Sequence, residues 1–346
     1  MTVAFLRTPD HRFANLPGFD FPPHYLDALP GFDGLRMHYV DVGPDVGPDF
    51  SPDGAPSVFL CLHGEPTWGY LYRRMVPVFA AAGHRVVVPD LFGFGRSDKP
   101  VDDGWYTFER HRNALLAFID ALDLRGICLV CQDWGGLLGL TLPMARPERF
   151  TGLLVMNTTL GTGDEPLSPG FLAWRQWAAD HPDMEVGKLL GRACPQLTEA
   201  ERAAYDAPFP DAQHKAGVRR FPAMVPDHPD AEGAALSRAA RTWFETAWSG
   251  HCFMAIGGKD PVLGPPVMHA LHRHIRGAAP PYTDAEAGHF VPEWGEAIAA
   301  AAVAAMAKGH LGGETGETGS SFPDPGRSMS SNGLPTTRAA AHDEQQ

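Results

Sequence analysis

The stretch ICLVCQDWGG, residues 127–136, decides the fold of this chain of 346 residues. Its first five residues form an apolar run of the length of a buried strand, and its last residues begin a helix-like segment. A strand-to-helix turn of this kind commonly presents a nucleophilic serine, but the central residue here is Asp133. Cys131 replaces the first glycine of the usual G-x-S-x-G pattern, and Gly135 keeps the last one. The stretch therefore predicts a crowded turn that presents a carboxylate.

Short apolar runs alternate with helical segments on both sides of this turn. Strands are predicted at 57–62, 84–90, 127–131, 153–157 and 252–257, and helices at 69–82 and 107–122. Such alternation is typical of an α/β fold with a mostly parallel sheet flanked by helices. Residues 1–35, which are rich in Pro, Phe and Asp, are expected to wrap the surface of the core.

The pattern divides the chain into four regions. Residues 1–157 are predicted to form the first part of the α/β core and residues 227–308 the second part. Residues 158–226 show helical segments, Pro and aromatic residues without a buried strand, which indicates an inserted helical cap. Residues 309–346 are rich in Gly, Ser, Thr and Pro, so we predict a disordered low-complexity tail.

Composition and charge exclude several classes of protein. The chain is 44% hydrophobic without an apolar run near the ~20 residues that span a bilayer, and its start, MTVAFLRTPDHRF, lacks the pattern of a signal peptide. We expect a cytoplasmic monomer. The net charge of −13 comes from dispersed acidic residues, which argues against nucleic acid and anionic membranes as partners. The five cysteines show no metal-ligand spacing, so we predict buried thiols and no metal.

Three residues carry a candidate catalytic triad. Asp133 follows one predicted strand, Asp260 follows another, and His289 lies in the short loop DAEAGHF. Each has an ordinary alternative, because an Asp after a strand is commonly a helix cap and a His near glycine is commonly a loop residue. The chain order of nucleophile, acid and histidine is that of α/β-hydrolases, whose loops meet at the carboxyl edge of the sheet. Together the three residues predict a triad.

A carboxylate nucleophile restricts the substrate. Its attack on an ester carbonyl would give a reactive anhydride, whereas in-line attack on an sp3 carbon gives a stable alkyl ester. His289, oriented by Asp260, could then take a proton from the water that hydrolyses this ester. In this architecture the oxyanion is bound by two backbone N–H groups, here those of Trp134 and Glu65. The Glu65 side chain can also be read as a carboxylate at a helix start.

Five motifs together resemble the haloalkane dehalogenases of the α/β-hydrolase superfamily. They are HGEPTW (63–68), DLFGFGRSDKP (90–100), QDWGG (132–136), GGKD (257–260) and AGHF (287–290), and the resemblance covers roughly residues 1–308. It implies catalysis without a cofactor, with Asp133 as the nucleophile, Asp260 as the acid and His289 as the base. Another subfamily carries a Glu acid at the position that Asn157 occupies here, which supports Asp260.

The resemblance also implies a halide site and a substrate pocket. The family binds the halide between two indoles, which are here Trp134 and a cap tryptophan, either Trp174 or the less favoured Trp177. Indole N–H groups suit a large, weakly hydrogen-bonding anion. The implied pocket is apolar, typical of short chloro- and bromoalkanes, although cap aromatics can equally form the cap's own core. Its residues are Leu137, Phe171, Phe221, Pro222, Val225, Val262 and Leu263.

Three other functions are weighed against this one. Epoxide hydrolases resemble the chain up to QDWGG but need two cap tyrosines, and Tyr205 is the only tyrosine between residues 158 and 226. Fluoroacetate-type dehalogenases carry D-R-x-x-R after the nucleophile, whereas Asp133 is followed by Trp-Gly-Gly. A binding module that kept the fold would be expected to lack a triad residue. Epoxide hydrolysis is the main alternative.

Overall fold

The computed structural model describes residues 3–44 and 58–309. The strands are β1 Phe5–Leu6, β2 Pro23–Leu26, β3 Met37–Val42, β4 Val58–Leu62, β5 Arg85–Pro89, β6 Lys99–Pro100, β7 Ile127–Gln132, β8 Phe150–Met156, β9 His251–Gly257 and β10 Tyr282–Asp284. The helices are α1 Val76–Ala81, α2 Phe108–Ala121, α3 Trp134–Gly139, α4 Leu142–Ala145, α5 Pro169–Asp180, α6 Val186–Ala193, α7 Glu199–Asp206, α8 Ala216–Met224, α9 Ala234–Thr246, α10 Pro265–Arg273 and α11 Gly295–Gly309. Apart from its first residue, the predicted tail at 309–346 lies outside the described residues.

Eight strands form one sheet in the order β10-β9-β8-β7-β4-β5-β3-β2. The pairs from β10 to β5 are parallel, whereas β3 and β2 are antiparallel to their neighbours. Strands β1 and β6 form a separate antiparallel pair. The prediction of an α/β fold with a mostly parallel sheet is confirmed.

The centre of the sheet is buried on both faces. Every residue of β4 and β7 is buried, which explains why these strands read as continuous apolar runs and not as alternating ones. The cysteines contribute to this packing: Cys61 lies in β4, Cys128 and Cys131 in β7, Cys252 in β9, and Cys194 directly after α6. All five thiols are free and buried, as predicted, and pack as small apolar side chains.

The structure differs from the predicted elements at one helix and at several strands. The helix predicted over 69–82 is divided into a 3-10 segment, Gly69–Tyr72, and the helix α1. Pro77 lies in the first turn of α1, where a missing N–H is tolerated, so the α-helix begins there. The edge strands β2 and β10 were not predicted, because they are only partly buried and lack a continuous apolar run. Strand β3 and the short strands β1 and β6 were not predicted either; in β3 the polar residues His38 and Asp41 interrupt the apolar run.

Helices α5–α8 lie between β8 and the helix that precedes β9, in the range that the sequence assigns to a cap. Helix α7 begins with a capping box in which Thr198 and Glu201 bond reciprocally. The N-terminal segment is bonded to the end of α7: Thr8 Oγ1 donates to the Pro208 carbonyl (2.7 Å) and Arg12 Nε to the Ala207 carbonyl (2.8 Å). This segment therefore contacts α7 as well as the core. Within the described ranges, no helix has the length and apolar character needed to cross a membrane.

Candidate active site

Asp133 occupies a strained turn between β7 and α3. Its φ of 53° and ψ of −126° are unusual for a residue with a side chain. The Asp133 N–H donates to the Asn157 carbonyl (3.1 Å), and the Thr158 hydroxyl donates to the Asp133 carbonyl (2.7 Å). A Cβ on Gly135 would lie 1.9 Å from the Leu62 carbonyl oxygen, so the turn can approach β4 this closely only with glycine there.

The predicted oxyanion donors are the backbone N–H groups of Glu65 and Trp134. Asp133 Oδ1 accepts a hydrogen bond from the Glu65 N–H (2.9 Å). Trp134 is the first residue of α3, so its N–H has no acceptor within the helix. A Cβ on Gly64 would lie 2.3 Å from Asp133 Oδ1, which explains the glycine of the HGEP motif. Of the two predicted oxyanion donors, the structure thus shows the Glu65 N–H bonded to the carboxylate, and the Trp134 N–H in the residue that follows Asp133.

His63 holds this loop in place, a role that sequence reasoning missed. Its Nε2 accepts from the Leu91 N–H (3.0 Å), so its Nδ1 carries the proton and donates to the Gly64 carbonyl (2.9 Å). Burial lowers the pKa of His63, which favours the neutral ring that this arrangement needs. The only sequence signal for the role was the position of His63 beside Gly64.

His289 faces both carboxylates of the predicted triad. Its Nδ1 lies 2.8 Å from Asp260 Oδ2, and its Nε2 lies 3.5 Å from Asp133 Oδ2. Burial alone would lower its pKa, but the two negative charges outweigh burial and raise the pKa of His289 to about 10. The two carboxylates therefore favour the protonated form of the imidazole in the resting site. Esterification of Asp133 would remove one of these charges and lower the pKa.

Asp260 is fixed by three hydrogen bonds. Its Oδ2 accepts from His289 and from Asn157 Nδ2 (2.8 Å each), and its Oδ1 accepts from the Val262 N–H (2.8 Å). Although burial opposes it, these contacts lower the pKa of Asp260 to about 2. Asn157 is itself held by the Gly257 N–H (2.8 Å). Sequence reasoning treated Asn157 only as the absence of a Glu, whereas the structure shows that it supports the acid.

The three triad residues line a cavity of about 840 Å³. A smaller cavity of about 370 Å³ also contacts Asp133 and Trp134. Of the predicted pocket residues, Phe171 and Val262 line both cavities, Pro222 lines the larger one, and Leu137, Val225 and Leu263 line the smaller one. Phe221 lines neither; it is buried with its ring 4.8 Å from that of Trp134. Phe221 thus packs against the Trp134 indole and does not itself line a cavity.

Trp134 and Trp174 line the larger cavity together. Among the described residues, neither indole N–H has a hydrogen-bond acceptor. Trp177 lines neither cavity and stacks between Trp174 (5.5 Å between ring centroids) and His181 (4.4 Å). This geometry favours Trp174 over Trp177 as the second donor for an anion in the cavity.

Glu65 also lines the larger cavity through a buried side chain. Its Oε1 has no hydrogen-bond partner in the described part of the chain. Burial, together with the nearby Asp133 carboxylate, raises the pKa of Glu65 well above its usual value. These surroundings therefore favour the protonated, neutral form of the side chain. Within residues 3–44 and 58–309, no group of three or more His, Cys, Asp or Glu side chains could hold a metal ion.

Comparison with known proteins agrees with this architecture. Residues 57–296 match the model of the alpha/beta hydrolase fold, so the chain belongs to the α/β-hydrolases. A haloalkane dehalogenase of Psychrobacter cryohalolentis is 44% identical over 303 residues, which cover 86% of this chain and 96% of that protein. Haloalkane dehalogenase 1 of Mycobacterium tuberculosis is 44% identical over 292 residues, covering 83% of this chain and 93% of that protein. Within the α/β-hydrolases, this chain is a member of the haloalkane dehalogenase family.

A solved structure supports the same assignment. The haloalkane dehalogenase DpaA of Paraglaciecola agarilytica, a tetramer, superposes with a TM-score of 0.83 at 48% sequence identity. The match covers 87% of this chain and 98% of that chain. The fold and the family predicted from the motifs are both confirmed.

Proposed function

We propose that this protein hydrolyses the carbon–halogen bond of haloalkanes to an alcohol, a halide ion and a proton, with Asp133 as the nucleophile. One observation carries the proposal: His289 lies 2.8 Å from Asp260 and faces Asp133 at 3.5 Å, inside a cavity that two indoles also line. A carboxylate nucleophile, a base, an acid and an anion site are the groups that this reaction needs.

In the first half-reaction the two Asp133 oxygens have different roles. Oδ1 is held by the Glu65 N–H, whereas Oδ2 faces His289 and accepts no backbone hydrogen bond within the described residues, so we assign Oδ2 as the attacking oxygen. The Oδ2–carbon bond forms as the carbon–halogen bond breaks, and the halogen leaves with the bonding pair. The halide is received by the indole N–H groups of Trp134 and Trp174. These donors act where negative charge develops.

In the second half-reaction water attacks the carbonyl carbon of the ester. His289 takes the proton of this water, and Asp260 stabilises the imidazolium that results. The negative charge on Oδ1 is stabilised by the N–H groups of Glu65 and Trp134. Collapse of the tetrahedral intermediate breaks the bond between the Asp133 carboxyl carbon and Oδ2. His289 returns its proton to Oδ2, which leaves as the oxygen of the alcohol, and the oxygen of the water remains in the carboxyl group, whose proton is released to solvent. The Asp133 carboxylate is regenerated without a metal or a cofactor.

The cavity supports an apolar substrate. Helices α5–α8 contribute apolar side chains to it, among them Phe171, Trp174, Leu189 and Pro222, and residues 158–226 act in this proposal as the cap that excludes water. Short chloro- and bromoalkanes fit this lining. The five unpaired buried thiols support a reducing, cytoplasmic compartment. For the assembly we retain the monomer as our hypothesis, and size-exclusion chromatography with light scattering would distinguish it from a tetramer like that of DpaA.

Epoxide hydrolysis is disfavoured by the position of Tyr205. This residue is fully buried, its hydroxyl donates to Glu293, and it lines neither of the two cavities that contact Asp133. No cap tyrosine is thus placed, in the described part of the chain, to protonate an opening epoxide at Asp133.

Halide release from 1-bromobutane and 1,2-dibromoethane tests the proposal. The purified protein should release halide, a proton and the alcohol, and dialysis against EDTA should leave the rate unchanged. Asp133→Ala should abolish turnover because no other group can form the ester. Conversion of styrene oxide without any dehalogenation, or activity retained in Asp133→Ala, would refute the assignment.

A further inference from the structure

A buried cluster of charged residues lies outside the active-site cavity. Arg73 forms a two-point ion pair with Glu293, with Nη1 to Oε1 at 2.6 Å and Nη2 to Oε2 at 2.9 Å. Glu201 accepts from Arg73 (2.9 Å) and from Arg74 (2.7 Å), and the Tyr205 hydroxyl donates to Glu293. We call these five residues the Arg73 cluster. Two arginines and two glutamates balance its formal charge.

The burial of this cluster makes its geometry exacting. Arg73 and Glu293 are each 4% exposed, and Tyr205 is fully buried. A buried ion pair is weak evidence for stability, because desolvation offsets the attraction, but it does restrict how the segments that carry it can be arranged. Burial raises the pKa of Tyr205 well above its usual value, so its hydroxyl remains a donor at every working pH.

The cluster joins three segments that the reaction uses. Arg73 follows the 3-10 turn Gly69–Tyr72, which continues from the loop that carries Glu65. Glu293 lies in the 3-10 segment Val291–Trp294, directly after the loop that carries His289. Tyr205 belongs to helix α7, in the region proposed as the cap. Phe290, which follows His289, and Trp294, which follows Glu293, both line the active-site cavity.

We propose that Glu293 is a positioning residue for His289, and that the Tyr205 hydroxyl fixes Glu293, and with it the His289 loop, to helix α7. The inference rests on the proposed function. His289 is needed only when water attacks the ester, and at that moment its Nε2 must face a water beside Asp133. Loosening the loop therefore slows ester hydrolysis, whereas attack of Asp133 on the substrate does not use His289.

Tyr205→Phe tests this without removing a charge. Single-turnover experiments with 1-bromobutane should show ester hydrolysis slowed about tenfold and alkylation changed less than about twofold, as expected when a base is displaced by a fraction of an ångström. Because hydrolysis then limits turnover, kcat and KM should fall together while kcat/KM stays constant. Intact-protein mass spectrometry should find the alkyl-enzyme accumulated in the steady state. If the Tyr205 hydroxyl only stabilised the fold, its loss would not slow ester hydrolysis selectively while kcat/KM stays constant.

Tyr106→Phe is the matched control. Tyr106 is equally buried and its hydroxyl donates to the Pro100 carbonyl (2.7 Å), away from the Arg73 cluster. This variant should lose similar stability and keep both half-reactions in their wild-type ratio. The double variant Arg73→Gln/Glu293→Gln removes the same anchorage without an unpaired buried charge, and it should slow hydrolysis selectively even if Tyr205→Phe folds poorly.

Two results would overturn the inference. The first is a folded Tyr205→Phe protein whose kcat, KM and alkyl-enzyme fraction equal those of the wild type or of Tyr106→Phe. The second is a lower kcat/KM with unchanged KM in the double variant, which would place the defect in alkylation. Absence of halide release by the wild type would instead refute the proposed function, so the two failures are distinguishable.

Discussion

At the scale of single residues, His289 separates the two half-reactions. Attack by Asp133 on the alkyl carbon needs no base, whereas attack by water on the ester does. We predict that His289→Phe reacts once with 1-bromobutane and then holds an alkyl ester on Asp133. Intact-protein mass spectrometry with peptide mapping would locate the adduct. A folded variant that stays unmodified after long exposure would show that His289 acts before the ester forms.

Trp174 and its neighbour Trp177 offer a matched pair for testing the halide site. Trp174→Phe keeps an aromatic ring but loses the donor, and a hydrogen bond to an anion is worth about 1.5–3 kcal/mol. Bromide affinity, measured by saturable quenching of tryptophan fluorescence, should fall by roughly 10- to 150-fold. Trp177→Phe should have a mild effect, since Trp177 lies outside the cavity. The reverse pattern would move the second donor to Trp177.

Glu65 provides a test of a neutral acid in the cavity. Because the pKa of Glu65 is raised well above its usual value, the isosteric substitution Glu65→Gln should preserve the uncharged state of this side chain. We expect halide release within about threefold of the wild type at neutral pH, and an unchanged melting temperature, as for a neutral isosteric exchange. Halide release over a range of pH, with thermal unfolding beside it, measures both. A loss of more than about tenfold in a folded variant would show that the ionised carboxylate is required.

The residues of the site differ in how far sequence could predict them. Asp133 and Asp260 each follow a predicted strand, so their approach at one edge of the sheet is a consequence of parallel topology. The strand that precedes His289, β10, was not predicted, and His289 was identified from its loop and its place in the chain order. The support from Asn157 could not be predicted in the same way, because it acts on Asp260 across 103 residues of sequence. Positioning by Glu293 likewise depends on a contact with Arg73 across 220 residues. Such pairings follow from packing and not from local pattern.

At the scale of elements, helix α2 contains a buried histidine without a polar partner. Both ring nitrogens of His111 lack a hydrogen-bond partner among the described residues, and its ring packs against Tyr106 and Phe221. An unpaired buried donor costs about 1–3 kcal/mol, so His111→Phe should stabilise the protein by an amount of this order. Urea unfolding at pH 7.5 would measure it. His38→Phe is the contrasting variant, because it would leave the buried Asp90 without its 2.7 Å partner and should destabilise.

The same histidine predicts a dependence of stability on pH. Burial lowers the pKa of His111 to about 3, so below pH ~6.5 the unfolded chain binds a proton that the folded protein does not. Keeping His111 neutral therefore costs no unfolding free energy above pH ~6.5. As the pH falls below this value the unfolding free energy decreases, by about 2 kcal/mol at pH 5. His111→Phe should flatten the decline of unfolding free energy between pH 6.5 and 4 by this order. An identical slope in both proteins would contradict it.

Elements buried on both faces were predicted better than those at the edges. Strands β4 and β7 are continuous apolar runs, and their observed bounds differ from the prediction by a single residue at one end. Strands β2 and β10 have partly exposed sides and short lengths, so their hydrophobic signal is too weak to detect. The division of the segment 69–82 depends on the 3-10 turn Gly69–Tyr72, which follows the HGEP loop and packs against the 3-10 segment Val291–Trp294. Local propensity does not encode that contact.

At the scale of the whole molecule, the site exists only when distant parts of the chain are assembled. Asp133 follows β7, Asp260 follows β9 and His289 follows β10, while helices α5–α8 supply Trp174 and much of the apolar lining. The order of these parts in the sequence allowed the family and the fold to be predicted. The shape of the cavity, and hence the preferred length of the substrate, depends on how the helices pack over the sheet.

The buried cysteines have a consequence for an enzyme that handles alkylating agents. A thiolate reacts with haloalkanes more readily than a carboxylate does, so an accessible cysteine would be consumed irreversibly by the substrate. Here all five thiols are buried, and burial raises the pKa of each one. We predict that Asp133→Ala, kept folded in excess 1-bromobutane, gains no alkyl group by intact-protein mass spectrometry, whereas the urea-unfolded chain gains several. Alkylation of the folded variant at a cysteine would contradict this. The fold thus keeps its thiols away from the reagent, and the carboxylate that meets the reagent in the cavity is a nucleophile that water can restore.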